Sequence, residues 1–170
     1  ELYFIYKIIT CINLAKQVAV TNPRNNIIPV FWMATEDHDF EEINHANIAG
    51  TTFEWKQQSG GAVGTLETNG IDKIIDSLDH YFGAQTNKEK IIQLFKLAYS
   101  EKKSLADATR ILVNELFKED GLIIIDANHP KLKNRFSEII SKDIFEQNSF
   151  AKVSETNSLL KKHYPIQVNP

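Results

Sequence analysis

The sequence lacks a second cysteine, so Cys11 cannot form a disulfide within the chain. A lone thiol is typical of a reduced compartment, and we expect a cytoplasmic protein with an inert Cys11. No run of lysine and arginine is present and the formal net charge is −3, which argues against nucleic acid or an anionic membrane as a partner. We also expect no apolar segment to reach the roughly 18–20 residues of a membrane span, and no signal peptide.

An initiator methionine is also missing, and the chain opens at Glu1 almost inside a helical pattern. Both ends are therefore expected to be cut from a longer chain. The 170 residues, 42% hydrophobic and 24% charged, suit one globular domain of ordinary composition.

Two apolar runs have the pattern of buried strands. Residues 27–34 are almost continuously apolar and follow a helical pattern over residues 2–19. Such a run is typical of a strand buried on both faces, so we expect Phe31 and Trp32 in the core. Residues 122–126 repeat the strand pattern and end in a carboxylate. Helix, loop and buried strand form half of a β-α-β unit whose first strand would precede Glu1. We therefore predict an α/β fold with a parallel-sheet core.

Amphipathic helices separate these two strands. Three apolar stripes, over residues 71–82, 91–98 and 105–116, have helical spacing. We divide the chain into three parts of one partial domain: residues 1–56 begin the core, residues 57–120 form a helical connecting insertion, and residues 121–170 return to the core.

Shorter elements are predicted around this frame. Residues 39–47 suggest a helix with a capping box made by Asp39 and Glu42. Residues 49–55 alternate like a strand. Two further helices are expected after residue 128, the first beginning at His129-Pro130 with an apolar stripe over residues 132–144, and the second over residues 150–164.

Clustered acid and base groups follow the first strand, and they are Glu36, Asp37, His38 and Asp39. In open α/β sheets the binding crevice lies outside the carboxyl ends of the strands. Three neighbouring carboxylates are unfavourable unless something binds them, which favours a functional site. The alternative is a solvated loop in which Asp39 only caps the next helix.

Metal binding is the weaker hypothesis for this cluster. His38 and His45 are seven residues apart, or about 10 Å along a helix, which is too far to share a metal unless His38 lies in the preceding loop. Glu42 and His45 match one half of a di-iron motif that needs a second copy, and the sequence has none. We predict no metal from the protein ligands.

Two other stretches could form parts of a site. Asp126 ends the second strand, so the two strand ends could meet across a crevice, although Asp126 could equally cap the helix at His129. The glycine-rich residues 59–64 could hold an anion through backbone N–H groups or form a flexible turn. They are not a P-loop, because no Gly-Lys-Ser/Thr follows.

The first strand and the acidic cluster together resemble a known family, the bacillithiol biosynthesis cysteine-adding enzymes. The residues that carry the resemblance are PVFWMATEDHDFEEINH, at positions 29–45. Residues 2–9, 59–64, 121–127 and 164–168 agree with the family as well, so the likeness covers the whole chain.

The resemblance implies a Rossmann-like core similar to the nucleotide-binding domain of class I aminoacyl-tRNA synthetases. It also implies a helical insertion and, outside this chain, a coiled coil that makes the full-length protein a homodimer. The implied reaction is ligation of cysteine to glucosaminyl-malate, with ATP activating the cysteine carboxyl group.

The resemblance implies that Thr35 to Asp39 line the pocket and that Asn44 supports it. From residue type and strand-end position we expect catalytic roles for Asp37, His38 and Asp39. The residues expected to bind substrate or nucleotide are Thr35, Glu36, Asn44 and Asp126.

This chain departs from the family pattern in several places. Thr65 stands where the family often has arginine, and the family's N-terminal Thr-Gly-Pro loop and coiled coil are absent, so the fragment alone is expected to be inactive. Two alternatives remain open: a metal-dependent hydrolase that uses residues 36–39, and a non-catalytic nucleotide- or sugar-binding module.

Overall fold

The computed structural model describes residues 2–57, 60–100 and 103–166. In chain order the elements are α1 (Leu2–Thr21), β1 (Val30–Met33), α2 (Phe40–Ile43), β2 (His45–Ile48), β3 (Thr51–Glu54), α3 (Ile71–Phe82), α4 (Lys88–Ala98), α5 (Leu105–Phe117), β4 (Ile123–Asp126), α6 (Pro130–Lys133), α7 (Ser137–Glu146) and α8 (Asn148–Leu160). Short 3-10 turns lie at Val63–Thr65, Lys118–Asp120 and Asn134–Phe136. The chain divides into two compact units, Glu1–Asn128 and His129–Pro170.

Strands β1 and β4 pair in parallel, and this pair is the centre of the first unit. Val30 lies opposite Ile123, and Met33 lies opposite Asp126. Parallel neighbours need a long crossover connection, and here it contains α2, the β2–β3 hairpin and the helices α3 to α5. The predicted α/β class with a parallel core and a helical insertion is confirmed.

One face of the β1–β4 pair is covered by α1 and α5. Ile8 and Ile12 of α1 and Val113 and Phe117 of α5 form a buried cluster. The strand residues packed against this cluster include Phe31 and Ile124, which are register partners and therefore share a face. The apolar stripe predicted on the first helix is thus the face that covers the sheet.

The other face of the pair is open, which corrects a prediction. Residues 27–34 were expected to be buried on both faces, with Phe31 and Trp32 in the core. Phe31 is half-buried, but Trp32 is 59% exposed and Val30 is 41% exposed. Side chains alternate along a strand, so helices that cover one face leave every second residue of β1 in solvent.

Helix α1 also corrects the expectation about apolar segments. Residues Tyr3–Thr21 form a 19-residue stretch that is long and apolar enough to cross a membrane, judged by length and composition only. One such helix is weak evidence for a span, because the core helix of a soluble protein and a signal sequence near the N-terminus pass the same test. In this fold Ile8 and Ile12 are buried against Val113 and Phe117.

The crossover connection between β1 and β4 has a core of its own. Phe40 and Trp55 meet edge to face with ring centroids 5.2 Å apart, and they belong to a buried cluster with Ile71, Ile75 and Ile92 of α3 and α4. Helix α5 belongs to both cores. Its Leu105 packs against the insertion cluster, whereas Val113 and Phe117 face α1 and the sheet.

A β-hairpin replaces part of the predicted short helix. Residues 39–47 were expected to be helical, but α2 ends at Ile43 and His45–Ile48 forms β2, which pairs antiparallel with β3. The hairpin turns at Ala49 and Gly50, which have φ angles of 44° and 85°. Positive φ at both central residues is the requirement of a type I′ turn.

This turn makes Ala49 a position for stabilisation. Asparagine tolerates the left-handed region far better than alanine, so Ala49→Asn is expected to raise the free energy of unfolding by about 0.5–1 kcal/mol. Denaturant titration measures the change. Ala49→Val is the opposing variant and should destabilise the protein, so two variants of equal stability would contradict this account of the turn.

The second unit is helical. Pro130 occupies the first turn of α6, as predicted, and the His129 ring accepts a hydrogen bond from the Lys131 N–H at 3.2 Å. The stripe predicted over residues 132–144 is interrupted by the turn at Asn134–Phe136. Its residues Ile139 and Ile144 are more than 60% exposed, so this part of the predicted core is wrong. Helix α8 covers most of the predicted last helix.

Candidate functional site

The two parallel strands end side by side, and their last polar residues are joined. Thr35, two residues after β1, is only 5% exposed. Its hydroxyl donates a hydrogen bond to Oδ1 of Asp126, the last residue of β4, at 2.5 Å. The Asn128 N–H donates to the same Asp126 oxygen at 3.0 Å and to Thr35 Oγ1 at 3.2 Å. The predicted meeting of the strand ends is therefore present.

These contacts argue against one of the two alternatives for Asp126, the helix cap. The carboxylate could have capped the helix after His129, but His129 itself caps α6. Asp126 instead accepts hydrogen bonds from Thr35 and Asn128. A buried hydroxyl and a half-buried carboxylate that satisfy each other hold the two strand ends at a fixed separation.

The turn at Val63–Thr65 is hydrogen-bonded to the acidic loop. The Gly64 N–H donates to the Thr35 carbonyl at 3.0 Å, and the Val63 N–H donates to the Asp37 carbonyl at 2.7 Å. The Thr65 N–H donates to Ala62 within the turn. Since these amides are occupied, they do not supply the anion cradle considered for residues 59–64. Ser59 lies outside the described residues.

The acidic loop is ordered by its own backbone. Oδ1 of Asp37 accepts from the N–H groups of His38 at 2.7 Å and Asp39 at 3.2 Å. The His38 side chain is 90% exposed, with Nδ1 3.7 Å from the same oxygen. Glu36 is also exposed. The loop therefore presents an imidazole to solvent beside a carboxylate that is held in place.

Asp39 caps helix α2, which was the structural alternative to a functional role. Its carboxylate accepts from the Glu42 N–H at 3.3 Å and caps α2. The Asp39 N–H, which a full capping box would give to Glu42, donates to Asp37 instead. The predicted cap is present in part, and a catalytic role for Asp39 stays a prediction.

Asn44 lies at the end of α2, where its Oδ1 meets Nδ1 of His45 at 2.9 Å. It lines a largely apolar cavity of about 550 Å³ between the hairpin and the insertion helices, whose lining does not include residues 35–39. Tyr99 also lines it, and burial raises the pKa of the Tyr99 phenol. The structure thus associates Asn44 with this cavity, and its predicted binding role stays untested.

A metal centre has no support from side-chain placement. Within residues 2–57, 60–100 and 103–166, no group of three or more histidine, cysteine, aspartate or glutamate side chains could hold a metal ion. The cluster at residues 36–39 is spread along an exposed loop, with Asp37 and Asp39 engaged by backbone amides. The metal-dependent hydrolase therefore lacks a ligand set in this part of the chain.

Sequence reasoning missed the contacts of Gly64, Val63 and Asn128, which act through backbone groups. The glycine-rich pattern and the family resemblance both drew attention to residues 59–64, but neither predicted these contacts. A backbone N–H donor cannot be predicted from residue type, because every residue except proline has one. Thr35 and Asp126 could be expected from their positions at the strand ends.

A parallel strand pair covered by helices, with its polar site at the carboxyl ends, defines a Rossmann-like α/β domain. Comparison with known families agrees, since the model of the bacillithiol biosynthesis BshC N-terminal Rossmann-like domain matches residues 1–170. The chain belongs to this family.

Individual relatives show the same similarity. A protein of Flavobacterium johnsoniae named "Putative cysteine ligase BshC" is 46% identical over 169 residues. Proteins of the same name from Flavobacterium psychrophilum and Christiangramia forsetii are 45% and 41% identical. Each alignment covers 99% of this chain and 32% of the relative, so the chain spans about a third of the length of the curated relatives it matches.

Proposed function

We propose that this chain forms part of the active site of an enzyme that ligates cysteine to glucosaminyl-malate, with ATP as cosubstrate. The proposal rests on the junction of Thr35 and Asp126 at the strand ends, directly followed by the exposed acidic loop. The names of the relatives supply the cysteine ligase chemistry.

The reaction forms an amide bond between the cysteine carboxyl group and the glucosamine amine. Activation as an adenylate would join the cysteine carboxylate to AMP and release pyrophosphate. Attack by the amine would then expel AMP, and the amine would lose a proton. The second step needs a group that accepts a proton near the attacking nitrogen.

The acidic loop offers side chains for both substrates. The hydrogen bonds that Asp37 accepts from the backbone use Oδ1, which is also the oxygen 3.7 Å from His38 Nδ1. Oδ2 is left to bind the cysteine ammonium group. We assign His38 the proton transfer or the stabilisation of the developing oxyanion. Thr35, Glu36, Asn44 and Asp126 are proposed to bind substrate or nucleotide, and Asp39 to contribute to catalysis beside its capping role.

The proposal extends to the setting of the enzyme. We propose a cytoplasmic enzyme, since cysteine in reduced form and ATP are both substrates. We also propose a homodimer, which the family resemblance implies through a coiled coil outside this chain. The remaining two thirds of a protein of the relatives' length would supply the other walls of the pocket.

A direct test uses the intact protein with cysteine, glucosaminyl-malate and Mg²⁺, with and without ATP. We expect a product of the mass of the amide, formed only with ATP, and AMP released in equal amount. Nucleotide binding without product would assign a non-catalytic binding module. Release of ADP in place of AMP would retain the ligase and overturn the adenylate step.

A further inference from the structure

Gly64 lies in direct contact with the backbone of Thr35. It is buried, and its N–H donates to the Thr35 carbonyl at 3.0 Å. A Cβ atom at position 64 would lie 2.6 Å from Thr35 Cβ, 2.7 Å from the Thr35 carbonyl oxygen and 3.0 Å from Thr35 Cα. No residue other than glycine fits unless the turn or Thr35 moves.

The requirement for glycine at this position is steric and not conformational. Five glycines have positive φ angles, and they are Gly50, Gly61, Gly70, Gly83 and Gly121. Gly64 is not one of them, so its backbone is one that other residues adopt freely. The same five positions and Gly60 have open space where a Cβ would lie. Among the described glycines, only Gly64 has neighbouring atoms in the space that a Cβ would occupy.

Gly64 contacts Thr35, which is the residue that joins the two strand ends. Thr35 is held from one side by the Gly64 N–H and from the other by Asp126 and Asn128. Val63 in the same turn holds the Asp37 carbonyl. A shift of the turn therefore changes both the orientation of the Thr35 hydroxyl and the backbone conformation of the acidic loop.

We propose that Gly64 is a positioning residue: by lacking a side chain it lets the turn at Val63–Thr65 close against Thr35 and so sets the Thr35–Asp126 junction. Its importance for turnover rests on the proposed function, whereas its effect on the junction does not. Gly64 itself touches no reacting atom in this account.

The test compares Gly64→Ala with Gly60→Ala in the intact protein. Both variants add one methyl group to the same loop, but the methyl at position 60 meets nothing within 4 Å. For Gly64→Ala we expect kcat to fall about 10- to 100-fold, as a misplacement of about 1 Å can cause, with KM nearly unchanged. Gly60→Ala should match the parent protein in both constants.

Hydrogen exchange gives a readout that needs no activity. Peptides containing Asn128 should exchange faster in Gly64→Ala, because the Asn128 N–H loses aligned acceptors, while peptides from α3 keep their protection. Unchanged exchange at Asn128 would overturn the positioning role. If the parent protein shows no ligase activity but exchange at Asn128 is faster in Gly64→Ala, the positioning role stands and the proposed function is contradicted.

A loss of stability in Gly64→Ala is assigned with a second variant. Thr35→Gly removes Thr35 Cβ, which makes the shortest of the three contacts, but it also removes the hydroxyl that donates to Asp126. The cost of Gly64→Ala is therefore measured by denaturant unfolding both in the parent protein and in the Thr35→Gly background. A smaller cost in the Thr35→Gly background assigns the defect to the contact with Thr35 and supports the proposal. An equal or larger cost would show that Gly64 acts elsewhere, and the proposal would fail.

Discussion

Replacing His38 by alanine in the intact protein is expected to lower kcat for amide formation by about 100- to 10,000-fold, the usual contribution of a positioned acid–base group. The free energy of unfolding should stay almost constant. The imidazole is 90% exposed, and the neighbouring Asp37 side chain is 52% exposed, so the fold loses little when the ring is removed.

The matched control is His80→Ala. His80 is another exposed histidine, in the last turn of α3, and its removal should leave kcat and KM unchanged. Equal turnover by the parent protein and His38→Ala would end the catalytic assignment of His38 without affecting the family assignment.

His38→Gln separates the two roles proposed for the imidazole. Glutamine keeps a hydrogen-bond donor but cannot transfer a proton near neutral pH. If His38 stabilises an oxyanion, the Gln variant should retain much of the activity lost in Ala. If it accepts a proton, both variants should be equally slow.

The frame of the fold could be predicted because apolar periodicity reports directly on it. The stripe containing Ile8 and Ile12 and the two apolar runs identified α1, β1 and β4. The exposure of Trp32 could not be predicted in the same way, because an apolar run does not say how many of its faces are covered. That depends on neighbours distant in the sequence.

The hairpin was missed for a local reason. Ala49 adopts a left-handed conformation that alanine disfavours, so the sequence carries only Gly50 as a turn signal. The residues before it therefore have the pattern of a helix end. Tertiary pairing with β3 outweighs this weak local preference.

The location of the candidate site could be predicted, but the hydrogen bonds that hold it together could not. Strand ends and polar clusters pointed to Thr35, Asp126 and the acidic loop. The amides of Val63 and Gly64 that hold this loop come from a turn more than 25 residues later, and no pattern of residue types announces such a contact. The capping role of Asp39 was visible, since it depends only on residues three apart.

Thr35→Val is expected to lower the free energy of unfolding by about 1.5–3 kcal/mol, the range for a hydrogen bond to a charged group. Valine keeps nearly the same volume, so packing changes little and the loss reports on the hydroxyl. Without it the buried junction loses the donor to Asp126 and one acceptor for the Asn128 N–H. Denaturant unfolding of the intact protein gives the magnitude, with exposed Thr51→Val as the control that should change little.

A double-mutant cycle with Asp126→Ala shows whether this free energy belongs to the pair. If the Thr35 hydroxyl acts through Asp126, the combined variant should be destabilised by less than the sum of the single variants, with a coupling of about 0.5–3 kcal/mol. Strictly additive effects would mean that the hydroxyl stabilises Thr35 locally. The strand ends would then need another link, and the effect of Gly64 on catalysis would have to run through Asp37 alone.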